Sequence, residues 1–85
     1  MRTPAPDELL GFLRRVIGKE FEVPPDEIRP DALLVDDLGL DSVDAMVLAL
    51  RVEEETGLDV KEEELKAIRI VQDVVDLVHR KLEER

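Results

Sequence analysis

The chain has 85 residues, no cysteine, and 22 Asp and Glu against 12 Lys and Arg, a formal charge of −10. That length suits one domain with a thin core, and the lack of thiols excludes disulfides and zinc–thiolate sites. An acidic field repels nucleic acid and anionic membranes and attracts basic partners, and Phe12 and Phe21, the only aromatics, make no base-stacking platform.

Residues 1–6 carry no apolar leader core and read as a flexible N-terminus to a single domain spanning 1–85. A cytoplasmic location is expected on that ground. No apolar run approaches the roughly 20 residues of a membrane span. The first helix is predicted from Asp7 to Phe21. Pro6 fits its opening turn and Asp7 and Glu8 its positive end. Leu9, Leu13, Val16 and Ile17 recur at helical spacing and mark the buried face, which Phe12 and Phe21 extend. Gly11 and Gly18 lower helix propensity by about 1 kcal/mol each relative to alanine, and close helix packing is the expected reason for them.

A long connector follows, Glu22 to Asp41, punctuated by Pro24, Pro25 and Pro30. Such loops are functional or pinned by their own side chains. Ile28, Leu33, Leu34, Val35 and Leu38 are the expected pins, and Pro25–Ile28 the site of one helical turn. The second helix is predicted to begin at Asp41 or Ser42, with Asp41 as N-cap, and to end at Thr56 before Gly57. A short third helix is predicted over Lys61–Ala67 and a fourth over Val71–Glu84. The buried face of the fourth is Val71, Val74, Val75, Val78 and Leu82. The acidic clusters Glu53–Glu55 and Glu62–Glu64 read as solvated faces.

The second helix carries two apolar stripes. Ala45, Leu48, Ala49 and Val52 form one; Val43, Met46, Val47 and Leu50 form another, roughly opposite. So small a chain has few elements with which to bury both, so the second stripe is expected to be exposed and edged by Asp41, Asp44 and Glu54. That arrangement suits an apolar partner surface with a basic rim.

Ser42 is the only serine, set in Asp36-Asp37-Leu38-Gly39-Leu40-Asp41-Ser42-Val43-Asp44. A hydroxyl at the start of a helix, amid acids, suits display to another protein. Gly39 to Val43 does not form the Gly-x-Ser-x-Gly elbow of a hydrolase, and the only histidine, His79, lies far along the chain. Nothing pairs a nucleophile with a base, so no catalytic residue and no enzyme activity is expected. The acids around Ser42 lack EF-hand spacing and one imidazole makes no zinc site, so no metal site is expected either.

Asp37-Leu38-Gly39-Leu40-Asp41-Ser42-Val43 closely resembles the Asp-Leu-Gly-x-Asp-Ser-Leu motif of acyl carrier proteins. Ile17-Gly18, Glu53-Glu54-Glu55 and Ile70-Val71-Gln72-Asp73 are similar to other parts of that family's pattern, so the resemblance extends from Leu9 to Leu82. It implies an all-α fold: a small up-and-down four-helix bundle of three longer helices and a short third one, with a long loop between the first two. It implies a free-standing carrier whose Ser42, with Asp41 beside it, holds covalent 4′-phosphopantetheine. A separate phosphopantetheinyl transferase would attach the arm from coenzyme A, making the chain a phosphoprotein.

The arm would then carry acyl chains as thioesters in fatty acid or related lipid or polyketide biosynthesis. Acyl-transferring and chain-elongating enzymes with basic patches would dock on Asp41, Val43, Asp44, Met46, Val47, Leu50 and Glu54. A growing chain would shelter between the second, third and fourth helices. The carrier is expected to be a monomer.

Leu34 stands where many members of the family place an aromatic, and the other departures from the family pattern lie on the docking face. Val43 replaces the usual leucine, Val47 stands where many fatty-acid carriers have glutamate, and Arg51 adds a positive charge one turn later. They point toward a specialised carrier. Leu40-Asp41 differs from the Gly-Gly-His/Asp-Ser pattern of peptidyl carriers. The alternative is an unmodified helical adaptor that binds a protein through the patch of Val43, Met46 and Leu50.

Overall fold

A computed structural model describes residues 3–84, of which Thr3–Ala5 precede the first helix. Two residues of the expected flexible N-terminus, Met1 and Arg2, therefore lie outside the described residues. Four α-helices follow one another: α1 Pro6–Phe21, α2 Ser42–Thr56, α3 Glu62–Ala67 and α4 Val71–Glu84, with a single 3-10 turn at Pro25–Glu27. This is the all-α four-helix arrangement read from the sequence, with boundaries shifted by a residue at most.

The helix ends have local causes. Pro6 opens α1, and the Ala5 N–H donates to Glu8 Oε1 at 3.1 Å. α1 stops where Glu22 turns left-handed, at φ 57°, two residues before a proline. α2 stops at Gly57, φ 75°, whose N–H closes on the Glu53 carbonyl at 2.8 Å. Asp73 opens α4 by accepting the Arg69 and Ile70 N–H groups at 2.8 and 3.1 Å.

Leu9, Leu13, Val16 and Ile17 of α1, Leu48 and Val52 of α2 and the four valines of α4 form one core, as their spacing requires. α1 lies at its centre, packed against both α2 and α4. Close helix packing, the expected reason for the two α1 glycines, applies to neither. A Cβ on Gly11 would meet open space, whereas one on Gly18 would come within 3.2 Å of the Val23 carbonyl oxygen. Gly18 thus admits the returning connector, not a neighbouring helix.

The connector is pinned differently from the sequence reading. Ile28 and Leu34 are buried, joined by Ala32 and Leu40, which the sequence reading passed over; Leu38 packs against the same core. Leu33 and Val35 are exposed. At Leu33 the cause is extended backbone, since Leu33 forms an antiparallel bridge with Ile70 and the Leu34 N–H donates to the Arg69 carbonyl at 2.9 Å, while Val35 lies in the turn that follows. Side chains alternate there, so Ala32 and Leu34 face inward while Leu33 faces out. From α1, Arg14 Nε adds a hydrogen bond to the Ile28 carbonyl, 2.9 Å.

The acidic clusters are also more structural than expected. Glu53 accepts the Val60 N–H at 2.7 Å and so ties the α2–α3 loop to α2. Glu64 joins α3 to α4 through Lys81 Nζ at 2.8 Å and Arg80 at 3.2 Å. Its carboxyl is held below the ordinary value of 4.5, first by the Lys81 hydrogen bond, then by the Lys61 backbone N–H and the charges of Lys81 and Arg80.

A lowered folded pKa means stability that is fully present above the unfolded value. It is lost as pH falls through the folded one. Glu64→Gln is therefore expected to cost about 0.5–1 kcal/mol at pH 7. The gap from the wild type should close below the ordinary carboxylate range. Thermal melts across pH 3–7 check this; a gap that stays constant through the acid range would contradict it.

Candidate functional site

The site is built by two consecutive local motifs. Leu33 to Leu38 coil into a tight turn, capped by Asp37 Oδ2, which accepts the Leu33 N–H at 2.7 Å. The turn closes at Gly39, φ 71°, whose N–H reaches the Val35 carbonyl at 2.9 Å, while the Leu40 N–H reaches Leu34 at 2.9 Å. A left-handed residue is needed there, which suits glycine. Leu40 then drops into the core and delivers Asp41 to the mouth of α2.

Asp41 and Asp44 cap α2 reciprocally. Asp41 Oδ1 accepts the Asp44 N–H at 2.9 Å, and Asp44 Oδ2 accepts the Asp41 N–H at 3.2 Å. This takes the role of Asp41 as N-cap one step beyond the sequence reading, which placed Asp44 at the edge of the exposed stripe and not in the cap. Ser42 is the first residue of α2 and is exposed. Among the described residues its hydroxyl has no hydrogen-bond partner, and neither have the backbone N–H groups of Ser42 and Val43. An exposed hydroxyl next to two free amides at a positive helix end can accept a phosphoryl group and stabilise its charge.

Beside Ser42 opens a half-enclosed groove of about 440 Å³. Leu33, Val35, Ala45, Leu65 and Ile68 give it apolar walls, and among the described residues Arg69 is its one cation. The outward turn of Leu33 and Val35, unexpected from the sequence, thus supplies one side of this groove. Ala45, Leu65 and Ile68 also line a small apolar gap deeper between α2, α3 and α4, about 20 Å³ in volume. The interhelical shelter expected for an acyl chain is therefore almost closed here.

The outer stripe of α2 is exposed, and burial on all sides is excluded: Val43 is 66%, Met46 58% and Leu50 56% accessible. Val47 is half-buried beside them. Glu54 is exposed but not free, since Arg51 holds it at 3.1 Å.

A family model described as the phosphopantetheine attachment site matches residues 11–78. The chain is 32% identical over 75 residues to an acyl carrier protein of Thermosynechococcus vestitus, covering 88% of this chain and 93% of that one. The chain belongs to the acyl carrier protein family. The carrier is also 39% identical over 71 residues to "Acyl carrier protein 2" of Ralstonia nicotianae, spanning 84% and 88% of the two chains. Its fold matches the crystal structure of an acyl carrier protein from Thermotoga maritima with a TM-score of 0.83, at 28% identity over 93% of this chain and 92% of that one. Phosphopantetheine is therefore its prosthetic group, and it is a carrier, not an enzyme. No helix among the described residues is long and apolar enough to cross a membrane.

Of the sequence-predicted residues, Asp41, Ser42, Val43 and Asp44 come together at the opening turn of α2, and Met46, Val47 and Leu50 continue along its face. Glu54 sits at the far end, drawn toward α1 through Arg51. The groove residues Leu65, Ile68 and Arg69 were missed. They belong to a short helix and its exit, where no periodicity marks a face.

Proposed function

We propose that Ser42 is the attachment residue for 4′-phosphopantetheine and that the whole described chain serves as one carrier domain. The observation that carries this is the free, exposed Ser42 hydroxyl at the first position of α2, with Asp41 and Asp44 already occupied as caps. In the loading step Ser42 Oγ attacks the phosphorus of coenzyme A that bears the pantetheine. An O–P bond forms, the pyrophosphate bond breaks, and 3′,5′-adenosine bisphosphate leaves. The hydroxyl proton passes to a base of the transferase, since no carboxylate among the described residues hydrogen-bonds the Ser42 hydroxyl. The Ser42 and Val43 amides and the helix dipole offset the phosphodiester charge by about 0.3–1 kcal/mol, which the acids Asp41 and Asp44 partly oppose. Once bound, the arm supplies the thiol that holds acyl groups as thioesters, which this cysteine-free chain cannot supply itself.

The groove beside Ser42 offers the cargo a first apolar surface, and the inner gap offers a path onward if α3 moves. α3 suits that role, with six residues and none of them buried. Each methylene sheltered there contributes about 0.8 kcal/mol, so release to an enzyme pocket stays reversible. Fatty acid synthesis or a related lipid or polyketide route in the cytoplasm fits such cargo. The chain acts as a monomer and docks its enzymes through the α2 face.

Incubation with coenzyme A, magnesium and a broad-specificity phosphopantetheinyl transferase, followed by intact mass, tests the reading. One phosphopantetheine increment mapped to the Ser42 peptide is expected. An unchanged mass with the transferase of the source organism would overturn it.

A further inference from the structure

Every carboxylate in the last two turns of α2 is already engaged. Glu53 accepts the Val60 N–H at 2.7 Å, Glu54 binds Arg51 at 3.1 Å, and Glu55 faces Arg15 at 3.7 Å. Arg51 also reaches across to Glu20 of α1 at 3.3 Å. Its guanidinium therefore bridges two helices and neutralises an acid on each, which raises its pKa further above the ordinary value, first through the Glu54 hydrogen bond and then through Glu20. Around Ser42 the acids that are engaged, Asp37, Asp41 and Asp44, accept only backbone N–H groups, which leaves their charge uncompensated. Asp36, Asp37, Asp41 and Asp44 have no Lys or Arg within ion-pair distance among the described residues. Between the two ends lie Val43, Met46, Val47 and Leu50, with no charge.

We infer that Arg51 is a specificity-determining residue: it masks Glu54 and Glu20, so that this carrier presents one acidic pole at Ser42 followed by an apolar ridge. The matching partner is an enzyme surface with cations only where it meets Ser42 and an apolar groove beyond. An enzyme with a second row of cations along α2 is disfavoured, because that row meets a compensated network. The inference rests on the carrier reading of Ser42.

Phosphopantetheine loading of the apo protein by a transferase with a Lys- and Arg-lined docking groove tests it, with kcat/KM measured from low to high NaCl. Arg51→Ala frees two carboxylates. It is expected to raise kcat/KM about three- to tenfold at low salt, with the gain lost as salt screens it. Adding Glu20→Gln and Glu54→Gln to Arg51→Ala is expected to cancel the gain. Arg29→Ala makes the same change of net charge outside the α2 face and is expected to give no such gain. Arg51→Gln, which keeps the length of the side chain, repeats the experiment should the alanine variant lose helix by circular dichroism.

Equal rates for wild type and both Arg51 variants, with Ser42 still loaded, would overturn the mask alone. A gain of the same size in Arg29→Ala would reduce it to net charge and overturn it too. No loading of Ser42 in any variant would overturn the carrier reading and this inference with it.

Discussion

Ser42→Ala is expected to abolish phosphopantetheine loading entirely while shifting the melting temperature by no more than about two degrees. The two effects separate because the fold does not use this hydroxyl. Ser42 is exposed, and its Oγ makes no hydrogen bond among the described residues. The cap of α2 is made one residue earlier by Asp41 and three residues on by Asp44, and both survive the substitution. Alanine is also the better helix former at that position. Thr3 and Thr56 carry the chain's other aliphatic hydroxyls, and Thr56 already donates to the Val52 carbonyl at 2.6 Å. Neither offers a substitute in the Ser42 setting. Intact mass and a thermal melt on the same sample decide the matter. A phosphopantetheine increment retained in Ser42→Ala would move the attachment elsewhere. Full biological activity of an unloadable variant would favour the unmodified adaptor, which uses the same α2 stripe without covalent chemistry.

The largest loss of stability is expected from Leu13→Ala. Leu13 is fully buried at the centre of α1, the helix that packs against both α2 and α4. Truncating it removes the transfer free energy of the lost atoms and leaves a cavity that its neighbours fill only in part, together about 2–5 kcal/mol. A domain of this size has about 4–13 kcal/mol in all. Each kcal/mol moves the midpoint of so small a domain by about 4–8 °C, so a drop of roughly 8–40 °C follows. Leu50→Ala removes the same side chain from the exposed stripe and should stay within about 0.5 kcal/mol of wild type. Circular dichroism melts of the two variants check the contrast. Similar midpoints for both would mean that α1 is not the centre of the core.

These two residues mark how much could be read without a structure. Leu13 was legible because helical periodicity is a local property: Leu9, Leu13, Val16 and Ile17 recur at a spacing that only one backbone geometry places on one side. Ser42 was legible through the run from Asp37 to Val43, and its N-cap through Asp41, since a cap spans only three residues. The exposed stripe of α2 followed from having two apolar faces and too little chain to bury both.

What failed was decided by contacts distant in sequence. Leu33 and Val35 look as apolar as Leu34, and nothing near them says that the bridge of Leu33 to Ile70 and the turn after it leave both exposed to wall the groove. Ala32 was overlooked because one methyl is a weak hydrophobic signal, yet it is fully buried beneath that pairing.

The acids divide in the same way. The sequence by itself determined the helices, their caps, the acidic character and the display of one serine, since each depends on neighbours within about one helical turn. The tertiary structure alone decided which acids remain free. Glu20 and Glu54 stand far apart in sequence, on different helices. Arg51 meets Glu54 within its own helix, but only the packing of α1 against α2 brings Glu20 to the same guanidinium, and with that it sets the charge a partner meets along the face beside Ser42.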